Sequence, residues 1–142
     1  MQIRKLNQKS YRKAVFIVVY KIEKNNKNNK ISYLLLKRKL HWKGWEFPKG
    51  GIDGKESTKQ AALRETQEES GLKPLNIISF KIKGKYKYHK LLKDRPNKIG
   101  QTYQLFACQV KLGKVKFDKK LASRLIFFNY CGESVRRIYA HT

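Results

Sequence analysis

The apolar positions of the chain fall into short runs separated by polar segments. Residues 14–22 (AVFIVVYKI) and 31–39 (ISYLLLKRK) are rich in β-branched, aromatic and aliphatic side chains, and the polar sequence KNNKNN lies between them. This pattern predicts two strands joined by a loose loop, which together form a hairpin. Later runs predict further strands at LNIISFKI, at the alternating KGKYKYHKLL, at TYQLFACQVK and at LIFFNY, and residues 131–140 can close the chain as a helix.

One segment between these runs has the marks of a helix, STKQAALRETQEESG. Ser57 or Thr58 can cap its start, and Gly71 can end it in a left-handed turn. The preceding connection, LHWKGWEFPKGG, contains a proline and three glycines, so we expect it to be irregular. Strands on both sides of a helix, without repeats or a long linker, predict one α/β domain over residues 1–142, with residues 1–12 as a basic N-terminal arm.

The composition adds a strong positive charge, because 34 Lys and Arg stand against 10 Asp and Glu, for a formal net charge of +24. Such a field attracts polyanions and makes binding depend on salt, which indicates a phosphate-rich partner such as RNA. A bias of composition toward Lys and Asn, without a function, is the alternative. No apolar run approaches the roughly 20 residues of a membrane span. We expect no membrane partner and a cytoplasmic location, with mitochondrial import as the lesser alternative.

Half of the acidic residues lie in residues 50–72, namely Asp53, Glu56, Glu65, Glu68 and Glu69. On a helix, Glu65, Glu68 and Glu69 stand at i, i+3 and i+4, so their carboxylates share one face. Three like charges within one turn repel one another, and a divalent cation reverses that repulsion. Oxygen ligands suit Mg²⁺, with Mn²⁺ as the alternative. A solvated acidic face is the competing interpretation.

The residues that flank these acids favour a phosphate ligand. Gly50 and Gly51 allow the backbone to approach a ligand closely, and Lys49 supplies a cation where a phosphate would lie beside the metal. Arg64 can pair with Glu56 in the loop or with a helix carboxylate, and it would then fix the loop against the helix. A metal alone would explain the acids, whereas a metal together with the glycines and the lysine explains a phosphate substrate.

The spacing of these residues resembles the Nudix box, with Thr66 at an aliphatic position as the only departure. The resemblance implies a Nudix-like α/β/α sandwich with a mixed β-sheet. It also implies metal-dependent hydrolysis of a nucleoside diphosphate linked to another moiety. The implied metal ligands are Glu65, Glu68, Glu69 and the Gly50 carbonyl. The implied catalytic residues are Glu65, Glu69 and Arg64, and Glu65 is the first candidate for the base. The resemblance implies structural roles for Glu56 and Gly71.

Two subfamilies are similar in sequence to this segment. WEFPKGGIDGKES followed by AALRETQEESG resembles the diadenosine tetraphosphate hydrolases, and dinucleoside polyphosphates are therefore the favoured substrate. GWEFPKGGID also resembles RNA 5′-pyrophosphohydrolases and decapping enzymes, which are the alternative. A Nudix fold kept as an RNA-binding or ribosome-associated protein is the second alternative. The candidate substrate-binding residues are Lys49, Lys87, Tyr88 and Tyr103, with Tyr86 as a further ring for adenine.

The segment FKIKGKYKYHK bears on the choice of substrate. Strand alternation places one set of side chains on one side (Lys81, Lys83, Lys85, Lys87 and His89) and another set on the opposite side (Phe80, Ile82, Tyr86 and Tyr88). The resulting basic ribbon can follow an RNA backbone, grip a four-phosphate bridge, or form a solvated edge that resists aggregation.

Overall fold

The computed structural model describes residues 9–24, 26–27, 29–40 and 43–129. Within them the chain forms β1 (Ser10–Lys24), β2 (Asn29–Arg38), β3 (Trp45–Glu46), β4 (Lys49–Gly51), α1 (Thr58–Ser70), β5 (Pro74–Lys87), β6 (Lys98–Val110) and β7 (Ala122–Asn129). The helix expected over residues 131–140 lies outside the described residues, and so do residues 1–8 of the expected arm. Residues 10–12 belong to β1, so the predicted arm over 1–12 is wrong for that part.

The strands form one mixed sheet in the order β3-β2-β1-β6-β5, with β4 paired to β1 and β7 paired to β2. β1 and β2 are antiparallel, with Tyr20 opposite Tyr33, which confirms the predicted hairpin. β1 and β6 are parallel, with Arg12 opposite Gln101. This parallel pair makes the sheet mixed, as the Nudix resemblance implied. In the described part of the chain, no helix is long and apolar enough to cross a membrane.

The hydrophobic core lies between α1 and one face of the sheet. Alternate residues of β1, Val15, Ile17 and Val19, are fully buried against Ala61 and Ala62 of the helix. Burying an aliphatic side chain of this kind contributes about 1.5 to 3 kcal/mol, so this face fixes the position of α1 on the sheet. Further core residues come from β2 (Leu34, Leu36), β6 (Phe106, Cys108, Val110) and the segment that follows α1 (Leu72).

The ends of α1 are set by the residues that the sequence indicated. Ser57 is the N-cap, and its side chain and that of Gln60 bond each other's backbone N–H groups in a capping box. Gly71 ends the helix with φ 71°, a left-handed conformation that glycine adopts without steric cost. Within the helix, Thr66 is fully buried, and its hydroxyl donates to the Ala62 carbonyl. The hydroxyl that Thr66 introduces at an aliphatic position of the box therefore has a hydrogen-bond partner within the helix.

β5 differs from the prediction, because LNIISFKI and KGKYKYHKLL contribute to one long strand rather than two. Its register against β6 shifts between Ser79 and Lys83, and Lys81 has φ 55°. Extra residues in a bulge re-aim the neighbouring side chains, so the predicted alternation does not run unbroken from Phe80. Phe80 and Ile82 are 46% and 53% exposed, whereas Tyr86 and Tyr88 are partly buried.

Candidate active site

The two glycines of β4 bring the backbone against functional side chains. β4 pairs with β1, with Gly50 opposite Val15 and Gly51 opposite Ala14. A Cβ atom built on Gly50 would lie 1.9 Å from Glu65 Cδ. The Glu65 carboxylate therefore occupies the space that any side chain at position 50 would need. Pro48 precedes β4 and its carbonyl accepts from Ile17 N. The segment expected to be irregular therefore contains two short strands, β3 and β4.

Arg64 ties the loop before α1 to the helix. Its Nη2 donates to the Gly51 carbonyl at 2.8 Å and to Glu56 Oε1 at 2.6 Å. Its Nη1 donates to Glu65 Oε1 at 2.8 Å and to Glu68 Oε2 at 3.2 Å. Both predicted partners of Arg64, the loop acid and the helix carboxylates, are present. The hydrogen bond from Arg64 is the main reason why the pKa of Glu56 lies below its usual value.

The three glutamates of α1 differ in burial. Glu68 is exposed, Glu65 is partly buried, and Glu69 is 8% exposed. Burial raises the pKa of Glu65, and it raises the pKa of Glu69 to about 7, against the opposing effect of Arg38. A buried carboxylate is costly in its charged form, so these two groups favour a cation close to them.

Arg38, which the sequence analysis did not single out, holds Glu69. Arg38 is buried at the end of β2, where its Nη2 donates to Glu69 Oε2 at 2.6 Å and its Nε donates to Glu46 Oε1 at 2.5 Å. Lys49 Nζ lies 3.1 Å from Glu46 Oε2 and 5.6 Å from the centre of the Phe16 ring. The sequence did contain a signal, because Arg38 follows Leu36 at a core-facing alternate position of β2.

The described residues hold no three His, Cys, Asp or Glu side chains that converge as a metal site. Instead, Arg64 is hydrogen-bonded to Glu65 and Glu68, and Arg38 is hydrogen-bonded to Glu69. The donor set nonetheless fits a hard divalent cation, because all the donors are oxygens and two of the carboxylates are withdrawn from water. The backbone of Gly50 also lies directly over Glu65. The residues therefore fit Mg²⁺ or Mn²⁺.

A cleft of about 320 Å³ opens beside these glutamates. Arg38 and Asp118 line it together with Glu65, Glu68 and Glu69. Asp118 is an acidic residue from the second half of the chain, and it also begins a turn, since its carboxylate accepts from Lys120 N at 2.9 Å. Its place at the cleft depends on the path of the chain between β6 and β7, which the sequence did not indicate.

Aromatic rings gather on the sheet face away from α1. Phe16 and Tyr103 are stacked, with centroids 4.2 Å apart and planes 1° apart. Tyr86 lies 6.4 Å from both rings, and Tyr88 meets Tyr86 edge-on at 6.0 Å. The structure thus brings Tyr88 and Tyr103 into one cluster with Phe16, which the sequence analysis missed. Lys87 is exposed opposite Gly100 on β6.

Comparisons with known proteins agree with this architecture. The NUDIX domain family matches residues 10–120. An RNA pyrophosphohydrolase of a Nitratiruptor species is 33% identical over 118 residues, covering 81% of this chain and 74% of that protein. The RNA pyrophosphohydrolase of Shewanella pealeana is 30% identical over 96 residues, and the chain spans 56% of its length. A C. elegans Ap4A hydrolase structure matches with TM-score 0.59 and 25% identity, covering 91% of this chain and 86% of that one.

A capped helix with the box residues in register, a mixed sheet and a match over most of the chain define the class: the chain belongs to the Nudix family. The predicted fold is confirmed, and the named relatives support the prediction of a pyrophosphohydrolase. They name both of the substrate classes that the sequence suggested.

Proposed function

We propose that this protein is a metal-dependent hydrolase that cleaves a phosphoanhydride at the triphosphorylated 5′ end of RNA. The observation that carries the proposal is the carboxylate face of α1, which lies below Gly50 beside an open cleft. A face of this kind, held by two arginines, suits a cation that binds phosphate oxygens. The aromatic cluster around Phe16 on the other face of the sheet offers a surface for a base.

The proposed ligands of Mg²⁺ are Glu65, Glu68, Glu69 and the carbonyl of Gly50. When bound there, the cation would neutralise phosphate charge and make a nearby water more acidic. Glu65 is the proposed base, because burial raises its pKa and thus increases its affinity for a proton. Arg64 orients Glu65 through the 2.8 Å bond to Oε1, and Arg38 orients Glu69 from the opposite side.

Two observations favour RNA over a dinucleoside polyphosphate. The relatives with at least 30% identity that are described above are named RNA pyrophosphohydrolases. In addition, a base held between two parallel rings needs a gap of about 7 Å, twice the roughly 3.5 Å contact distance. Phe16 and Tyr103 stand at 4.2 Å and leave no such gap. A base would then stack on the outside of the cluster, as single-stranded RNA does on aromatic platforms.

A dinucleoside polyphosphate is the second candidate. The match to the C. elegans Ap4A hydrolase supports it, since it extends over most of both chains. Tyr86, which is tilted against Tyr103 at 6.4 Å, could move with Tyr88 to receive an adenine. The preference expressed from the sequence for tetraphosphate substrates therefore becomes the runner-up.

The test is release of phosphate or nucleotide from four substrates, with Mg²⁺ and with EDTA. The panel holds 5′-triphosphorylated RNA, capped RNA, diadenosine tetraphosphate and ADP-ribose. Selective Mg²⁺-dependent turnover of the triphosphorylated RNA is the expected result. Selective turnover of the tetraphosphate would promote the second candidate. Tight RNA binding without turnover of any substrate would show a binding protein and overturn the enzymatic proposal.

A further inference from the structure

A buried hydrogen-bond donor that has no acceptor among the described residues lies where β1 and β6 run in parallel. Arg12 Nη1 donates to Gln101 Oε1 at 3.3 Å, and the Tyr88 hydroxyl donates to the same oxygen at 3.2 Å. Because arginine has donors only, the amide must turn its oxygen toward Arg12. Gln101 is 1% exposed, and its Nε2 has no hydrogen-bond partner in the described part of the chain. A buried donor of this kind costs free energy unless a ligand satisfies it.

The same place carries positive charge that no ion pair of the described residues neutralises, although the charge of Glu65 acts on Arg12 favourably from the other face. Among the ion pairs of the described residues, none involves Arg12. Burial and then the charge of Arg95 lower the pKa of Arg12, so the two guanidinium groups repel each other. Within the described part of the chain, the carboxylate paired with Arg95 is that of Asp94, at 3.8 Å. The cluster therefore presents donors and positive charge, and it needs an anion.

This cluster adjoins the carboxylate face across β4. A Cβ built on Gly51 would lie 2.4 Å from Arg12 Nη2, just as a Cβ built on Gly50 would meet Glu65. Consecutive residues of a strand point to opposite faces. The two glycines thus separate Glu65 on one face from Arg12 on the other by the thickness of a single strand. A substrate that reaches the glutamates can extend over β4 to Arg12.

We propose that Arg12 and Gln101 form a second anion site, which binds a phosphate of the substrate other than those joined by the cleaved anhydride. The inference rests on the proposed function. An arginine binds a phosphate through parallel N–H donors, and the free amide N–H of Gln101 adds a further donor. The phosphate comes either from the first phosphodiester of an RNA or from the far end of a polyphosphate bridge.

The site can be observed directly, without turnover, in the ¹⁵N spectrum of the full chain in EDTA. The side-chain amide pair of Gln101 is identified by its loss in Gln101→Glu. Inorganic phosphate is then added at constant ionic strength. We expect a saturable shift of that pair in the unaltered protein. The shift should need at least about tenfold more phosphate in Arg12→Gln, since a hydrogen bond to a charged group is worth that factor or more.

A control variant and a second use of Gln101→Glu make this measurement specific. Arg124→Gln removes the same charge from an exposed arginine that stands over Trp45, and it should leave the titration unchanged. Gln101→Glu places a carboxylate beside Arg12. This carboxylate takes the place of the bound anion, and we expect the variant to fold. This variant should abolish phosphate binding, which is monitored through the chemical shift of the backbone amide of Tyr88. A Gln101 amide that does not move, or that moves equally in Arg12→Gln, overturns the proposal.

The source of the phosphate follows from two probes in the same EDTA buffer. ApA carries one phosphodiester and no polyphosphate, whereas inorganic tripolyphosphate carries only anhydrides. Tighter binding of ApA assigns the site to RNA, and tighter binding of tripolyphosphate assigns it to a polyphosphate bridge. Equal affinities support a phosphate site that either substrate can fill, and failure of both probes to shift Gln101 overturns the site.

Failure of the anion site and failure of the proposed function are distinguishable. The amide titration requires no metal and no activity, whereas the substrate panel reports activity alone. In an active enzyme, Arg12→Gln should raise KM about tenfold or more and change kcat less, because the bond is present in ground and transition states alike. A fall in kcat with unchanged KM would instead assign Arg12 to the cleaved anhydride.

Discussion

Replacing Gly50 by alanine tests whether the position of Glu65 determines activity. The added methyl carbon would lie 1.9 Å from Glu65 Cδ, 2.0 Å from Oε1 and 2.4 Å from Oε2. Carbon atoms in contact stand about 3.5 to 4.0 Å apart, so the carboxylate must move by about 1.5 to 2 Å. Nothing but that carboxylate is among the nearest atoms, and Gly50 has no positive φ that an alanine would strain.

The cost to stability should be small, because the end of a flexible side chain can swing away from the new methyl group. The cost to catalysis should be large, because misplacing a reacting group by about 1 Å can reduce the rate about 100-fold. We therefore expect Gly50→Ala to lower kcat by at least about 100-fold while the thermal midpoint falls by only a few degrees.

The assay is Mg²⁺-dependent phosphate release from the best substrate of the panel, together with thermal unfolding followed by circular dichroism. Gly113→Ala is the matched control. A Cβ on Gly113 meets only Leu72 Cδ2, at an ordinary 3.5 Å, so activity and stability should both be retained. Full activity of Gly50→Ala with an unchanged fold would refute the assignment of Glu65 as the base.

Three further predictions follow from the site. Changing Glu68 and Glu69 together to Gln should abolish Mg²⁺-dependent turnover with a native circular dichroism spectrum; retained turnover would remove them as ligands. Since burial raises the pKa of Glu69 to about 7 in the folded chain, its contribution to stability is fully present below about pH 4.5 and is lost as pH rises through 7. In EDTA, the free energy of unfolding measured with urea should therefore depend less on pH between pH 5 and 8 in Glu69→Gln than in the unaltered protein. The same pH dependence in both proteins would contradict this. RNA affinity should fall steeply with salt, and the slope should decrease when three lysines become serine (Lys83, Lys85 and Lys87); a salt dependence that is already flat in the unaltered protein would indicate a solvated edge.

The parts of the fold that depend on local sequence could be predicted. The caps at Ser57 and Gly71, the hairpin of β1 and β2, and the pairing of Arg64 with Glu56 all involve residues close along the chain, or patterns with a single period. The carboxylate face could be predicted for the same reason, because helical geometry fixes the relative positions of Glu65, Glu68 and Glu69.

The parts that depend on register could not be predicted. Arg38 meets Glu69 only because β2 ends beside α1, and Arg12 meets Gln101 only because β1 and β6 pair in parallel at one register. Sequence patterns do not fix such a register. The bulge in β5 has the same origin, since the two-residue period from Phe80 to Tyr88 predicts an unbroken strand, whereas pairing with β6 inserts extra residues between Ser79 and Lys83.

The parallel pairing of β1 with β6 has a consequence for how the protein is made. Arg12 and Gln101 are 89 residues apart in the chain, and β1 is the central strand of the sheet. On the ribosome, β1 emerges first and has to wait on the order of seconds for β6, at about 5 to 20 residues per second. Until then α1 lacks the buried side chains of β6, and non-local contacts of this kind also slow folding. A nascent chain that stops before β6 should therefore carry the complete Nudix box and yet have no active site, so the box becomes functional only late in synthesis.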